Sequence, residues 1–416
     1  MDSPFFSVII PTRNRYETLE YALKTVLDQE FISFELIISD NSDTDQLDGL
    51  GSIRYLLEDK RIKYCRPPSV LSMSDNWEFA VSQAGGEFII IFGDDDGLVS
   101  GALKNIHDIV KEAKVDLISW ARVEYSWPDR MPRQYSNLMI IPYVARTGVI
   151  DSNAYIKKVI AREADYRYLP MFYNSAVRRS LVDSLIEKTG RVFNAHSPDI
   201  YTGYAFAYLS KQYVTVGYPL SINGVSSKSN GAAHTSNVGA SVRTDYKKLL
   251  SGSAIKWPQS LPEIYDSYLG IIEPFVQLAV FFPELNKYIS RKKIYRIIID
   301  KLEADSEQDL GMKLEKIISS AENDRSLHKW LVAYVEKNRP AVNPGTVPDL
   351  ETRVGFDGSH LVLDASKFAL ENVYDVSKFT RNIFGTLKEK NYSARAYLPL
   401  LRRIKKAAGI VLRAGS

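Results

Sequence analysis

Three consecutive carboxylates follow a short apolar run in the first quarter of the chain. Asp94, Asp95 and Asp96 come after the apolar residues 88–92 and Gly93. Such a run, bounded by glycines, predicts a strand buried on both faces of a parallel sheet. Adjacent carboxylates repel one another, so the turn must be solvated or contain a compensating cation. Asp94 and Asp96 could hold a divalent cation together with a substrate phosphate, and an acidic surface turn is the alternative.

Composition limits the classes of protein that this sequence can encode. The 416 residues suggest two or three domains, and a hydrophobic content of 45% is enough for a packed core. A net charge of +3 gives no sign of a nucleic-acid partner, and the single cysteine, Cys65, excludes an internal disulfide framework and a cysteine-rich zinc site. The N-terminus lacks a signal-peptide pattern, and no stretch approaches the roughly 18 apolar residues of a membrane span. We therefore expect a cytoplasmic protein, either soluble or peripheral to a membrane.

The order of elements at the N-terminus predicts a parallel sheet. Residues 5–10 and 34–39 form apolar runs, and residues 16–29 between them have helical periodicity. Strand, helix and strand in this order make a βαβ unit. Ligands of such sheets bind at the carboxyl ends of the strands. Because Arg13, Asp40 and the three aspartates all follow predicted strands, we expect them to line one crevice.

Strands and helices continue to alternate through the first half of the chain. The further predicted strands cover 62–64, 88–92, 115–120 and 168–177, and the predicted helices cover 75–84, 101–113, 153–161, 180–190 and 197–206. Asp75 opens its helix with Glu78 three residues later, which is the spacing of a capping box. The stretch 121–144 is interpreted as a loop or a strand pair at the sheet edge. Residues 221–236, which are small, polar and interrupted by glycines, are interpreted as a mobile loop that closes over the crevice.

Four motifs occur in a specific order along this half of the chain. They read Ser-Val-Ile-Ile-Pro-Thr-Arg-Asn-Arg at 7–15, Glu-Leu-Ile-Ile-Ser-Asp-Asn-Ser at 35–42, Ser-Asp-Asn-Trp at 74–77 and Phe-Gly-Asp-Asp-Asp-Gly at 92–97. Together they resemble a family 2 glycosyltransferase of the GT-A fold, over residues 1–235. The resemblance implies an α/β fold with a Rossmann-like, mostly parallel sheet flanked by helices. It also implies an inverting enzyme of bacterial polysaccharide synthesis that takes a sugar from a nucleoside diphosphate, with UDP as the expected carrier, and uses Mn²⁺ or Mg²⁺.

The resemblance gives the three aspartates different roles. Asp94 would face the ribose, and Asp96 would coordinate the metal that bridges the diphosphate oxygens. Asp95 is assigned to the donor site without a specific contact, and is either solvated or positions the loop. The segment after the second strand departs from the family pattern, because many members have two aspartates where this chain has Ser39 and Asp40. Nucleotide recognition is therefore assigned to Asp40 alone.

Further donor contacts are expected around the nucleotide. Asp40 would accept a hydrogen bond from the N3–H group of a uracil or thymine ring, and an Asx-turn is the alternative. Pro11, Thr12 and Arg13 would lie along the base, ribose or phosphate, with a surface arginine as the alternative for Arg13. Asp75 would contact the donor from the start of its helix, and simple helix capping is the alternative.

Two residues of the predicted mobile loop complete the expected donor site. Lys228 would contact a phosphate, and His234 would bind the metal or a phosphate. A lysine or a lone histidine in a loop is often only a surface residue, and this remains the alternative for both.

A carboxylate at the start of a helix is expected to act as the base. Ser197 suits the N-cap and Pro198 the first helical position, which places Asp199 in the first turn. The resemblance puts the catalytic base here, where it would take the proton of the attacking hydroxyl. The helix N-terminus is expected to lower the pKa of this carboxyl. A purely structural aspartate is the alternative, and Glu163 and Asp165 are the next candidates.

The acceptor is expected to be a glycan or a lipid-linked glycan. His196 would lie near it, with no assigned role. Residues 398–413 form a basic amphipathic pattern, which suits a helix on the surface of an anionic membrane. A solvated terminal helix packed on its own domain is the alternative.

The chain is predicted to contain three regions. Residues 1–238 form the catalytic domain, residues 239–340 a helical region, and residues 341–416 a linker and a helical C-terminal region with the basic tail. The predicted helices of the last two regions cover 246–250, 262–282, 291–304, 310–322 and 361–387. This part could bind the acceptor, form a homo-oligomer or assemble with other transferases.

Two other classes of protein compete with the transferase. A nucleotidylyltransferase would share the metal-binding carboxylates, but it would have a glycine-rich phosphate loop after the first strand, where this chain has Thr12-Arg13-Asn14-Arg15. A non-catalytic sugar-binding or scaffold protein would lose the acidic motif or the base. Because both are present, the sequence favours the transferase.

Overall fold

The N-terminal βαβ unit lies in the middle of a mixed sheet. β1 (Phe6–Thr12) lies between β2 (Phe34–Asp40) and β4 (Phe88–Ile91) and is parallel to both, and β3 (Ile62–Cys65) extends the parallel part beyond β2. The structure, a computed structural model, describes residues 3–131, 133–142, 147–229, 255–264, 267–302, 304, 306–342, 354–356 and 360–385. The predicted α/β fold is confirmed.

Helices cover both faces of the parallel strands. α1 (Tyr16–Leu27) connects β1 to β2, and α2 (Met73–Ser82) connects β3 to β4. Val8 and Ile10 of β1 pack in a core with α1, whereas Ile9 packs in a second core with α2. Because both faces of β1 are buried, its sequence is a continuous apolar run.

The other half of the sheet is mixed in direction. Its strands are β5 (Gly97–Leu98), β6 (Leu117–Ser126), β7 (Leu138–Pro142), β8 (Gly148–Asp151), β9 (Ser175–Arg178), β10 (Gln212–Val225), β11 (Gly355–Phe356) and β12 (His360–Asp364). Among the described residues the order is β11-β12-β7-β6-β9-β4-β1-β2-β3, and β10 pairs with β5, β6 and β8. The stretch 121–144 therefore contains strands, but β7 lies between β6 and β12 rather than at the sheet edge.

Two predicted elements differ in the structure. Only the end of the predicted strand 168–177 is extended, as β9, and two 3-10 turns precede it at Tyr166–Tyr168 and Phe172–Asn174. Pro170 lies between these turns and has no N–H to donate to a sheet. Residues 221–225, predicted as a loop, belong to β10 because they pair with β5 and β6. Residues 226–229 follow without regular structure, and 230–236 lie outside the described residues.

Four further helices pack against the sheet close to their predicted positions. They are α3 (Ala102–Ala113), α4 (Ser152–Ile160), α5 (Arg179–Thr189) and α6 (Pro198–Ser210). Gly190 has a φ of +78° and ends α5, as its sequence indicates. Most residues of α6 are buried, so this helix lies between the sheet and another layer.

That layer is formed by the helices that follow. These are α7 (Ser267–Phe281), α8 (Arg291–Asp300), α9 (Glu307–Ser319) and the unpredicted α10 (Arg325–Lys337). Their apolar residues share one hydrophobic core with α2, α4, α5 and α6, so the helical region packs directly on the predicted catalytic domain. The predicted helix 246–250 lies outside the described residues. In the described part of the chain, no helix is long and apolar enough to cross a membrane.

The segment 354–385 returns to the sheet. It was expected to be helical from residue 361, but β12 pairs antiparallel with β7, and only α11 (Val373–Gly385) is a helix. The Tyr125 hydroxyl of β6 donates to the Leu370 carbonyl at 3.1 Å, and the Ser377 hydroxyl of α11 donates to the Leu98 carbonyl of β5 at 2.8 Å. These long-range contacts make the segment a part of the sheet layer. The basic tail at 398–413 lies outside the described residues.

Candidate active site

Asp94 is held at the end of β4 by two residues from the end of β1. The Thr12 hydroxyl donates a hydrogen bond of 2.6 Å to Asp94 Oδ2, and Arg15 Nε donates to the same oxygen at 3.1 Å. Asp94 is fully buried. Burial, opposed by the Arg15 charge, raises the pKa of Asp94 to about 6. The structure therefore brings Thr12 and Asp94 together, as expected for strand ends that share a crevice.

Arg15 supplies the cation that the acidic turn requires. Its guanidinium lies 2.7 Å from Asp94 Oδ1 and 3.4 Å from Asp95 Oδ2. Burial alone would lower the pKa of Arg15, but the charges of Asp94 and Asp95 outweigh burial and raise it. The sequence indicated the need for such a cation but did not identify the residue.

Asp96 faces backbone N–H groups from two segments. Gly93 N donates to Asp96 Oδ2 at 2.8 Å, and Gly224 N of β10 donates to Asp96 Oδ1 at 2.7 Å. Burial raises the pKa of Asp96, and the neighbouring Asp95 raises it further. A Cβ at Gly224 would lie 1.7 Å from the Asp95 carbonyl oxygen, so this approach of β10 requires glycine.

Asp95 is buried and anchors the chain that follows β10. Its Oδ2 accepts hydrogen bonds from the Ser226 hydroxyl at 2.8 Å, from Ser226 N at 3.2 Å and from the Ser229 hydroxyl. Trp127 Nε1 donates to the Asp95 carbonyl at 3.0 Å. Of the two interpretations for Asp95, solvation is wrong and positioning of a loop agrees with these contacts.

The carboxylates of the acidic turn are suitable ligands for a divalent metal. The described residues contain no group of three histidine, cysteine or acidic side chains that could hold an ion. However, Mg²⁺ and Mn²⁺ can bind through one or two carboxylates together with substrate phosphates and waters. Asp94 is fully buried, and its Oδ1 lies 2.7 Å from the Arg15 guanidinium. Asp94 and Asp96 therefore offer hard oxygen ligands, and His234 lies outside the described residues.

Asp40 lies at the carboxyl end of β2, directly beside Thr12 in the register of the sheet. Its Oδ2 accepts from the hydroxyls of Tyr16 at 2.7 Å and Tyr64 at 2.5 Å, and Arg66 Nη1 lies 3.3 Å away. Its Oδ1 accepts from Ser42 N at 2.9 Å, so the Asx-turn is present. Burial would raise the pKa of Asp40, but hydrogen bonds from Ser42, Tyr64 and Tyr16 outweigh it and lower the pKa.

The backbone conformation of Asn14 separates the two arginines that flank it. Asn14 has a φ of +58°, a left-handed conformation that asparagine tolerates. Its backbone N–H donates to the Ser42 hydroxyl. Its side-chain amide donates to the Asp43 carboxylate and accepts from Asp43 N. Arg13 then forms an ion pair of 3.3 Å with Asp43, on the β2 side of the crevice. Pro11 is a buried residue of β1, opposite Ser39.

Asp75 is not the residue that caps α2. The N-cap is Ser72, whose hydroxyl accepts from Asp75 N at 3.2 Å and donates to Asp75 Oδ2 at 2.6 Å. The capping box therefore begins three residues before the predicted position, because serine with an acidic residue at N3 satisfies both partners. Asp75 Oδ1 forms an ion pair of 2.6 Å with Arg191, near the segment that leads to Asp199.

Asp199 occupies the predicted place in the first turn of α6. Ser197 is the N-cap and Pro198 the first helical residue, although the Ser197 hydroxyl does not cap the helix. The expected lowering of the pKa of Asp199 is wrong. Burial raises this pKa, and it outweighs the backbone N–H of Ile200 and the Arg122 charge. A raised pKa makes Asp199 a stronger base than a helix N-terminus alone would leave it.

Tyr173 lies within electrostatic range of both the acidic turn and Asp199. Burial raises the pKa of Tyr173 well above its usual range, and the charges of Asp199 and Asp96 raise it further. Its ring packs edge-on against Trp77, with ring centroids 5.4 Å apart, and Trp77 is a core residue. Arg122 of β6 is half-buried. Its charge lowers the pKa values of Asp96 and Asp199, and so opposes the effect of burial on both. Neither residue is in a motif, so neither could be identified from the sequence.

The motif-bearing part of the chain matches a known family. Residues 7–184 match the family model described as Glycosyl transferase family 2. This segment is similar to a family 2 glycosyltransferase domain. The matched segment contains Thr12, Arg15, Asp40, Asp75 and the acidic turn, whereas Asp199 lies beyond the matched residues.

Curated relatives resemble part of this chain. A GalNAc(5)-diNAcBac-PP-undecaprenol beta-1,3-glucosyltransferase of Campylobacter jejuni is 38% identical over 105 residues, which cover 25% of this chain and 33% of that protein. An abequosyltransferase, RfbV, of Salmonella typhimurium is 31% identical over 134 residues, which cover 29% of this chain and 40% of that protein. The match therefore spans only about a third of the first relative and two fifths of the second.

Two solved structures are also similar to this chain. Residues 1–349 of TarS of S. aureus, in complex with UDP-GlcNAc, are 13% identical with a TM-score of 0.45, and the match covers 80% of this chain and 91% of that chain. The mannosyltransferase PcManGT of Pyrobaculum calidifontis, in complex with GDP-Man and Mn²⁺, is 14% identical with a TM-score of 0.39, covering 81% and 87% of the two chains.

Three other candidates lie at the margins of the matched segment or beyond it. Asp165 is bound by the Arg167 guanidinium at 2.7 Å, and this pairing outweighs burial and lowers the pKa of Asp165, so it is a weaker base than Asp199. Glu163 is exposed. Lys228 lies 3.5 Å from Glu17, with both side chains more than half exposed.

Proposed function

We propose that the chain transfers a sugar from a nucleoside diphosphate to a hydroxyl of a lipid-linked glycan, with inversion at the anomeric carbon. The observation that carries this proposal is the convergence of Asp40, Thr12 and Asp94 at the carboxyl ends of β2, β1 and β4, within the segment that matches the family 2 model. Nucleotide ligands of parallel sheets bind at this edge. The lipid-linked acceptor is supported by the name of the Campylobacter relative, which acts on an undecaprenol-linked glycan.

On the donor side, the chain's own residues would hold and neutralise the diphosphate. A bound Mn²⁺ or Mg²⁺ would stabilise the negative charge that develops on the leaving diphosphate. Asp94 and Asp96 are the carboxylates that would hold such an ion. Thr12 and Arg15 fix the position of Asp94, and Gly93 and Gly224 fix Asp96 through their N–H groups. Preorganised groups of this kind need no rearrangement when the bond breaks.

The nucleotide base would lie over the end of β2. A carboxylate has about four sites that accept hydrogen bonds, and Asp40 uses three donors on Oδ2 and one on Oδ1. These four donors account for its acceptor sites, so the N3–H group of uracil would bind Asp40 only in place of one of them. Arg66, whose side chain is 30% exposed, lies at the same place and could contact the base or ribose. Pro11 and Arg13 would border this part of the donor site.

On the acceptor side, Asp199 would act as the general base. It would accept the proton of the acceptor hydroxyl while that oxygen forms its bond to the anomeric carbon. The bond from this carbon to the diphosphate oxygen would break on the opposite face, so the configuration inverts. Because burial raises the pKa of Asp199, the carboxylate is a stronger base than a solvated aspartate. Tyr173 and Arg122 would lie between the base and the leaving group.

A panel of nucleotide sugars tests this proposal. The full chain is mixed with UDP-glucose, UDP-GlcNAc, UDP-galactose or GDP-mannose, with and without Mn²⁺, and its melting temperature is measured. We expect one donor class to raise the melting temperature only with Mn²⁺, and Asp96→Ala to abolish that rise. Asp183→Ala, which removes an exposed carboxylate on α5, is the control and should behave as wild type. A chain that responds to no donor, or whose response is the same in Asp96→Ala, would contradict the proposal.

A further inference from the structure

A buried carboxylate of the helical region contacts the segment that leads into α6. Glu273 of α7 is 1% exposed, and its Oε1 lies 3.0 Å from His196 Nδ1 and 3.4 Å from His196 N. Gln277 Nε2, one turn along α7, donates to the same oxygen at 3.2 Å. A buried carboxylate is unfavourable unless such donors compensate the loss of water. Glu273 therefore has a specific partner, and that partner lies three residues before Asp199.

The start of α6 depends on contacts from outside the helix. Its N-cap residue, Ser197, makes no side-chain capping bond. Two other segments hold the preceding residues instead. The Ser74 hydroxyl of α2 donates to the Ala195 carbonyl at 3.0 Å, and Glu273 binds both the ring and the backbone of His196.

α7 is itself held firmly against α6. Phe275, two residues from Glu273, is fully buried, and its ring centroid lies 5.2 Å from that of Tyr204. The His196 imidazole also packs against Trp257, with ring centroids 5.3 Å apart. Packing in the core therefore fixes the position of Glu273. Through its contacts with the ring and backbone of His196, Glu273 in turn fixes the position of His196.

We propose that Glu273 is a positioning residue for the acceptor side of the active site. Through His196 it fixes the entry to α6 and so the place of the Asp199 carboxylate. The helical region after residue 254 is then a component of the catalytic centre rather than an appended module. This inference rests on the proposed role of Asp199 as the base.

The test compares Glu273 variants with a matched control in the full chain. Nucleotide release from UDP-glucose, UDP-GlcNAc and GDP-mannose with Mn²⁺ is measured for wild type, Glu273→Gln, Glu273→Ala and Glu263→Gln. Glu263 is an exposed residue of the same region, so its variant controls for the substitution itself. Because displacement of a catalytic group by 1 Å can lower the rate by about 100-fold, we expect kcat to fall about 10- to 100-fold in Glu273→Ala, with KM for the donor unchanged. Glu273→Gln keeps an oxygen that can accept from His196 and should recover part of the loss.

The outcomes separate this inference from the proposed function. Wild-type kcat in Glu273→Ala would overturn it, and so would a loss of kcat that is matched by a loss of UDP binding, since that pattern indicates a general structural defect. Equal rates in Glu273→Gln and Glu273→Ala would also count against it. If wild type releases no nucleotide and binds no donor, the proposed function fails instead.

Discussion

Thr12 and Asp94, 82 positions apart in the sequence, are joined by a buried hydrogen bond of 2.6 Å. It links the ends of two adjacent parallel strands at the edge where the donor would bind. Thr12→Val keeps the shape of the side chain and removes the donor. A hydrogen bond to a charged group contributes about 1.5–3 kcal/mol, so we expect a loss of this order in the free energy of unfolding. Urea denaturation measures it, and Thr12→Ser, which keeps the hydroxyl, should remain close to wild type.

Arg15 should be required to keep the acidic turn folded in the absence of metal. Its side chain is 18% exposed and Asp94 is fully buried, so Arg15→Met leaves a buried charge without its partner. Removing one partner of a buried pair costs about 3–5 kcal/mol. We expect Mn²⁺ to raise the melting temperature of Arg15→Met more than that of wild type, because the metal replaces the missing positive charge. Arg54→Met, which alters an exposed arginine, is the control, and an equal Mn²⁺ effect in all three proteins would contradict this prediction.

Asp40 should stabilise the fold at neutral pH and lose this effect in acid. The pKa of its carboxyl is lowered in the folded state, so its contribution is complete above the unfolded value of about 3.9 and is lost as the pH falls through the folded pKa. Asp40→Asn should therefore be less stable than wild type at pH 5–7 by about 1–3 kcal/mol. The difference should shrink below about pH 4. Melting temperatures between pH 3 and pH 7 test this, and a difference that stays constant over that range would refute it.

Asp199→Asn should lose activity and gain stability. Removing a general base lowers the rate by about 10²- to 10⁴-fold, while UDP binding should persist. The pKa of Asp199 is raised in the folded state, so its ionisation opposes folding at any pH above the unfolded value. The variant should melt about 1–3 °C higher than wild type at pH 7 and show no difference near pH 3. Continued transfer by Asp199→Asn would show that the base lies elsewhere.

The residues that follow predicted strands could be identified from the sequence. The contacts that distant segments make with them could not. Asp40 and Asp94 follow apolar runs, and strand direction alone brings such residues to one edge. The choice between Arg13 and Arg15 was not visible, because it depends on the left-handed backbone of Asn14 between them. The helix N-terminus predicted a lowered pKa for Asp199. Burial raises this pKa instead, and burial could not be predicted from the local sequence. Glu273 lies in a region without motifs, and only the packing of α7 on α6 connects it to His196.

Two truncations should separate the roles of the C-terminal segments. Deleting residues 354–416 removes the strand paired with β7 and the helix that covers β5, so we expect a large loss of stability or of soluble protein. Deleting only residues 386–416 removes the basic tail, and the melting temperature should stay within about 2 °C of wild type. If the tail lies on a membrane, the shorter deletion should abolish co-sedimentation with vesicles rich in phosphatidylglycerol. Equal vesicle binding by both full-length and shortened protein would exclude that location for the tail.

The pairing of β12 with β7 has a consequence for synthesis on the ribosome. Residues 138–142 emerge long before residues 360–364, which complete their side of the sheet. Until then β7 presents an unpaired edge, and the apolar side chains that later contact α11 remain exposed. This side of the sheet can close only after residues 360–364 have been translated. We therefore expect nascent chains that end before residue 360 to depend on chaperones.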